Sequence, residues 1–179
     1  MSYEVIESKC AYRGKVLDIY SDKVTMPNGN VTVRETVVRG NAAAIVPVDE
    51  NGNIIFVRQY RHATKEMILE IPAGMIEVGE NPKDAAGREL EEEVGYKCDD
   101  LFFVNSVYMA IGICTEQIYF YIAENLEEGV INPDPDEFIE IERYSLDDAI
   151  KMTFSGEIKD VKTMAGIFAY KEYLSNKKN

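Results

Sequence analysis

Apolar residues recur along this chain at two periods, one helical and one extended. Between residues 81 and 95, Ala85, Ala86, Leu90 and Val94 fall on a single helical stripe. Asn81 is a good N-cap, Pro82 suits a first helical position that needs no backbone N–H, and Gly95 fits the left-handed turn that stops a helix. A helix is therefore predicted over 82–94. Elsewhere the pattern is extended. Residues 15–25 and 31–39 read as strands joined by the turn Pro27-Asn28-Gly29-Asn30, and residues 42–49 and 53–60 as a second hairpin around Asp49-Glu50-Asn51-Gly52. Residues 67–70 form a short extended piece, broken by Pro72-Ala73-Gly74. Further strands are predicted over 101–108, 116–123 and 140–144. Ser145 with Asp148 resembles a capping box for a helix over 146–154, stopped near Gly156. A last helix starts after Asp160 and runs to about residue 174, leaving 175–179 as a frayed tail. Strands interspersed with helices, without internal repeat or low-complexity segment, predict an α/β domain of sheet layers covered by helices.

The helix over 82–94 is unusual in its charge. Residues 80–94 hold five glutamates and one aspartate. Glu89, Glu92 and Glu93 project from neighbouring positions along one face, and like charges at that spacing destabilise a helix by about 0.2–0.5 kcal/mol per pair. Most such runs are solvated acidic faces. This one is locked to fixed neighbours: Gly74, five residues, Glu80, seven residues, then Arg88-Glu89-Leu90-Glu91-Glu92-Glu93-Val94-Gly95-Tyr96. Hard carboxylate oxygens beside a fixed arginine and two glycines point to a magnesium or manganese site that handles phosphate.

Composition narrows the partners. A chain of 179 residues with 46% hydrophobic residues can bury a sizeable core. The net charge of −13 argues against nucleic acid, whose binding rests on Lys and Arg neutralising phosphates. A phosphate-bearing substrate would be repelled by the same charge unless divalent cations inverted the local field. No stretch approaches the roughly 18 apolar residues of a membrane span. No basic segment leads into an apolar run at the N-terminus, so no membrane partner and no signal peptide are expected. Cys10, Cys98 and Cys114 are an odd set at unrelated spacings, which disfavours disulfides and suits a cytoplasmic location. One histidine, His62, and no CxxC argue against zinc.

The stretch from Gly74 to Tyr96 resembles a complete Nudix box, with Tyr96 standing where the family usually has an aliphatic residue. Outside the box, residues 41–48, Val57-Arg58-Gln59-Tyr60-Arg61, residues 69–74, residues 136–140 and Gly156-Glu157-Ile158-Lys159-Asp160 are similar to the ADP-ribose pyrophosphatase branch. The resemblance implies a Nudix α/β/α sandwich with a mixed sheet over residues 41–179. It also implies a small N-terminal β unit over 1–40 that packs against a second subunit in a homodimer. The activity it implies is Mg2+-dependent hydrolysis of a nucleoside diphosphate sugar, with Mn2+ as a possible substitute. By the same likeness Glu89 and Glu93 and the backbone carbonyl of Ala73 hold the metal, and Glu92 is a further ligand or acts through water. Gly74, Glu80, Arg88 and Gly95 are structural, with Arg88 pairing to box carboxylates such as Glu80.

The catalytic residues are then Glu92 and a base on the acidic loop 133–137, with Glu137 chosen and Asp136 as fallback. Arg61 stands where the family places an arginine against the substrate phosphates. Arg58 is a second phosphate contact or a solvent-facing strand residue, and Glu70 a substrate contact or a structural carboxylate. One departure bears on the sugar. Branch members typically carry Ser-Pro-Gly downstream of the box, whereas this chain has Ala110-Ile111-Gly112. ADP-ribose leads as substrate and GDP-mannose follows. A catalytically silent nucleotide-sugar-binding module is the reading from another class, disfavoured because every box carboxylate is present.

Overall fold

The computed structural model describes residues 2–132 and 138–177. In chain order these form β1 (Glu4–Arg13), β2 (Asp18–Thr25), β3 (Val31–Val38), β4 (Ala42–Pro47), β5 (Asn53–Arg61), β6 (Glu66–Glu70), β7 (Ala73–Met75) and α1 (Pro82–Val94). After α1 come β8 (Tyr96–Lys97), β9 (Phe102–Tyr108), β10 (Gln117–Ala123), β11 (Glu127–Glu128), β12 (Glu140–Ser145), α2 (Leu146–Ser155) and α3 (Val161–Lys177). Contacts divide the chain into two units: Met1–Asn41 with Val107–Gln117, and Ala42–Ser106 with Ile118–Asn179.

The first unit is an antiparallel sheet in the order β1-β2-β3. The turn between β2 and β3 closes through Met26 N–H to Asn30 O (2.7 Å) and Gly29 N–H to Met26 O (2.8 Å). Gly29 sits there at φ 83°, a conformation that favours glycine. The hydropathy pattern does not announce β1, because almost every residue in it is exposed. Val5, Ile6, Tyr12, Val31 and Val33 are exposed apolar residues of this sheet, and Tyr3 just before it is exposed as well. Residues 107–117 attach to β3: Val37 N–H donates to Ile113 O (2.7 Å) and Thr115 N–H to Val37 O (3.0 Å). The segment that carries Ala110-Ile111-Gly112 is therefore tied to the end of β3.

The second unit holds a mixed sheet, β7-β4-β10-β9, and an antiparallel sheet, β12-β5-β6. Strand β4 runs parallel to β10, from Ala42 opposite Ile118 to Pro47 opposite Ala123. It is buried on both faces, which explains its unbroken apolar run. Ala43 and Ile45 join Tyr121 and Ala123 of β10 and the α1 stripe Ala85, Ala86, Leu90 and Val94 in one core. On the other face Val46 meets α3 so closely that a Cβ on Gly166 would lie 2.9 Å from its side chain. Helices cover both faces of the sheet, which is an α/β/α sandwich, as expected. Among the described residues no helix is long and apolar enough to cross a membrane, and Cys10, Cys98 and Cys114 are free thiols.

One pairing differs from expectation. Strands β4 and β5 do not form a hairpin; they belong to different sheets and share only the bridge between Val48 and Ile54. The turn itself forms, with Gly52 N–H donating to Asp49 O (3.0 Å), but local turn chemistry does not choose a strand's long-range partner. At the other end of the chain, α3 continues through residues 175–177 instead of fraying at 174.

Candidate active site

Glu70 ends β6, and Pro72 lacks the N–H to extend the ladder. The segment Ile71-Pro72-Ala73 is held by other bonds. Ile71 N–H donates to Thr163 Oγ1 (2.9 Å), Ile45 N–H to Pro72 O (2.9 Å), and Ala73 N–H to the Glu93 carboxylate (3.1 Å). Strand β7 then passes α1 at close quarters. A Cβ on Gly74 would fall 2.0 Å from Glu89 Oε1 and 2.3 Å from Oε2, so the glycine's missing side chain is the space the Glu89 carboxylate occupies.

Helix α1 starts and stops where its residues dictate. Asn81 Oδ1 accepts from Lys83 N–H (2.9 Å), and Gly95, at φ 74°, returns its N–H to Glu91 O (2.9 Å). Register does the rest: Ala85, Ala86, Leu90 and Val94 enter the core, and Glu89 and Glu93 are buried beside them, Glu93 at 2% exposure. Buried carboxylates are costly unless satisfied. The Ala73 N–H serves Glu93, and Arg88 serves Glu89. Its Nη1 donates to Glu89 Oε1 (2.7 Å) and Glu92 Oε2 (2.8 Å), its Nε to Glu80 Oε1 (3.0 Å), and its Nη2 to Glu80 Oε2 (3.1 Å) and Met75 O (3.0 Å). Glu80 in turn accepts from Glu77 N–H (2.8 Å), tying the loop before α1 to the helix. Hydrogen bonding from Arg88 holds the Glu80 carboxyl below the usual carboxylate range, and the same contacts drive the Arg88 guanidinium further up, so both stay charged.

A second cluster forms around Glu70, itself 2% exposed. Arg61 grips it bidentately, Nε to Oε1 (2.6 Å) and Nη2 to Oε2 (2.8 Å). Lys162 Nζ, from the first turn of α3, reaches Glu70 Oε2 from behind and also donates to Asp160 Oδ2 (2.8 Å). Asp160 accepts from Thr163 N–H (3.0 Å) and Thr163 Oγ1 (2.6 Å) as well, capping α3. Burial alone would push the Asp160 carboxyl up, but the Lys162 charge and these hydrogen bonds hold it below its ordinary value. The hydrogen bonds that Arg61 donates to Glu70 raise its pKa, and it also feels the charges of Glu93 and Asp160.

The sequence-chosen residues thus fall into three places. Ala73, Gly74, Glu80, Arg88, Glu89, Glu92 and Glu93 surround the start of β7 and one face of α1, and Gly95 caps that helix. Arg61 and Glu70 form the adjoining cluster, within electrostatic reach of Glu93. Arg58 lies apart: three residues from Arg61 on one strand, it points to the opposite face, where Glu142 binds its guanidinium and Glu157 approaches to 4.0 Å. Glu137 and Asp136 lie outside the described residues. Sequence reasoning assigned no role to Lys162 and Thr163. Their signal was a lysine and a threonine opening the otherwise apolar inward stripe of α3, with Gly166, Ile167 and Tyr170.

Among the described residues no three Asp, Glu, His or Cys side chains converge into a ready-made metal cage. Magnesium does not need one, since it is typically held by one or two carboxylates and completed by water and substrate phosphate. The donor set fits that ion. Glu89 and Glu93 are carboxylates four residues apart on α1, the Ala73 backbone is fixed against Glu93, and the Gly74 cradle leaves room for Glu89.

Residues 38–165 match the NUDIX domain family model. The chain is similar to the ADP-ribose pyrophosphatase of Bacillus subtilis (strain 168), at 39% identity over 92% of this chain and 90% of that protein. It is also similar to the methanol dehydrogenase activator of Bacillus methanolicus, at 34% identity over 92% of this chain and 90% of the relative. Among solved structures, the crystal structure of an ADP compounds hydrolase superposes with a TM-score of 0.90 at 24% identity, covering 99% of this chain and 96% of that one. That likeness establishes the shared fold.

Proposed function

The chain belongs to the NUDIX family as a pyrophosphohydrolase of its ADP-ribose pyrophosphatase branch, acting on nucleotide-sugar diphosphates, and from that premise we propose that it splits ADP-ribose into AMP and ribose 5-phosphate with magnesium. The observation that carries this reading is the convergence of Glu89, Glu93 and the Ala73 backbone beside the arginine Arg61. Magnesium held by Glu89, Glu93 and the Ala73 carbonyl, with Glu92 beside them, would lower the pKa of a water and offset phosphate charge. Arg61 binds the diphosphate through the part of its guanidinium that Glu70 does not cover. Water adds its oxygen to one phosphorus, the bridging P–O bond breaks, and the proton passes to a carboxylate, for which Glu137 is the choice. The released oxygen stays on the departing phosphate.

The test is turnover of ADP-ribose and GDP-mannose with magnesium, and again with excess chelator. ADP-ribose is expected to be cleaved faster, with AMP and ribose 5-phosphate formed one to one. Preference for GDP-mannose would reject ADP-ribose and direct attention to Ala110 and Ile111. The same assay on Glu137→Gln should show kcat lowered by about 10²–10⁴-fold. Turnover near the parent's would move the base elsewhere.

The exposed apolar side chains of the first unit also support a homodimer. Size-exclusion chromatography with light scattering should find twice the 20.3 kDa chain mass. A monomer at micromolar concentration would refute the dimer.

A further inference from the structure

We infer that Lys162, buried in the first turn of α3, is a positioning residue for diphosphate binding: by neutralising Glu70 and Asp160 from behind, it leaves the outward charge of Arg61 available to the substrate. The inference rests on the reading that Arg61 meets the diphosphate. Its observations are geometric. Glu70 is buried, and both its oxygens are committed to Arg61 on one side and Lys162 on the other. The Arg61 side chain is 42% exposed and uses its Nε and Nη2 edge for Glu70, so the remaining edge is what an anion would meet. Lys162 is 8% exposed, far below what solvent-facing lysines show, and its ammonium donates to two carboxylates.

Charge counting gives the ammonium its role. Arg61 and Lys162 against Glu70 and Asp160 sum to zero. Without Lys162 the cluster carries a net negative charge next to Glu93, in a protein of net charge −13. Arg61 would then be neutralised by Glu70, and the anionic substrate would face an uncompensated carboxylate. An interaction of this kind acts on bound substrate and transition state alike, so it belongs to KM and not to kcat.

The experiment compares the parent with Lys162→Met, Lys162→Arg, Arg61→Gln and the Lys162→Met/Arg61→Gln double variant. Steady-state constants are measured with whichever nucleotide sugar the parent cleaves. Affinity for α,β-methylene-ADP, a diphosphate that is not hydrolysed, is measured by calorimetry. Lys162→Met is expected to raise KM and the calorimetric Kd by about 10–100-fold while kcat stays within about threefold. In the Arg61→Gln background the same change should add less than about twofold, because its route runs through Arg61. Lys162→Arg, which keeps the charge, should stay within about threefold of the parent on both readouts.

Additive effects in the two backgrounds, or an unchanged Kd in Lys162→Met, would overturn the inference. If Lys162→Met does not fold, the folded Lys162→Arg variant decides. Retained affinity supports a charge role, and a Kd raised more than about tenfold defeats it. A parent that cleaves another nucleotide sugar removes ADP-ribose from the proposed function but leaves this coupling test intact, since the diphosphate is common to both.

Discussion

Glu93→Gln is expected to lower kcat by at least about 10³-fold, roughly 4 kcal/mol of transition-state stabilisation, with the fold intact. Two functions meet at this side chain. Its carboxylate accepts the Ala73 N–H at 3.1 Å, and it would share a cation with the Ala73 carbonyl one peptide away. Gln retains an oxygen for that hydrogen bond, so the segment should keep its place. What the amide loses is charge, and a hard divalent ion depends on charge. Manganese binding followed by electron paramagnetic resonance should therefore weaken in step with kcat, while the circular dichroism spectrum and melting temperature stay near the parent's. Loss of turnover with undiminished manganese affinity would reject Glu93 as a ligand and leave it a purely catalytic or structural part.

Gly74→Ala should produce nearly as large a loss by a different route, about 10²-fold or more in kcat/KM. Gly74 does not have a left-handed backbone, so alanine is compatible with its dihedral angles. The obstacle is a single side chain: the added methyl would lie 2.0 Å from Glu89 Oε1 and 2.1 Å from Cδ. A carboxylate can swing away, but doing so breaks its 2.7 Å bond to Arg88 and removes it from the place where a cation would be held. Stability should fall by only about 1–2 kcal/mol, since one hydrogen bond is lost and no core packing is disturbed. A folded variant with parental kcat/KM would show that the position of Glu89 does not matter.

Much of this site is legible in the sequence, because the acidic helix is written in local rules. Asn81, Pro82 and Gly95 mark its ends, four apolar residues mark its buried stripe, and the remaining register places Glu89 and Glu93 together. Arg88 is readable as a partner of Glu80 from the box alone, although its further bond to Met75 O depends on the path of the loop. The hairpin between residues 42 and 60 misled for a physical reason. Its turn is local, but β4 takes its neighbours from β7 and β10 and β5 takes its neighbours from β6 and β12, which no turn signal encodes. Residues 107–117 were opaque in the same way, since their bonds to β3 join segments far apart in the chain. Lys162 is hidden in the sequence because a lysine reads as solvent-facing unless its whole helical stripe is traced.

The bond between Glu70 and Lys162 spans 92 residues, and that separation has a consequence for how the enzyme is made. The box is complete in a growing chain once Gly95 has been added, and α1 can form on local interactions. The ammonium that faces Glu70 from behind, and the hydroxyl that accepts the Ile71 N–H, belong to the start of the last helix. Long-range contacts of this kind close late, because the loop between them must be ordered first. A nascent chain would thus carry its acidic helix, from the addition of Gly95 until that of Lys162 and Thr163, without the pieces that set Arg61 and the Ala73 segment in place. The Arg61 cluster and the Ala73 segment are therefore completed only once the start of α3 has been added.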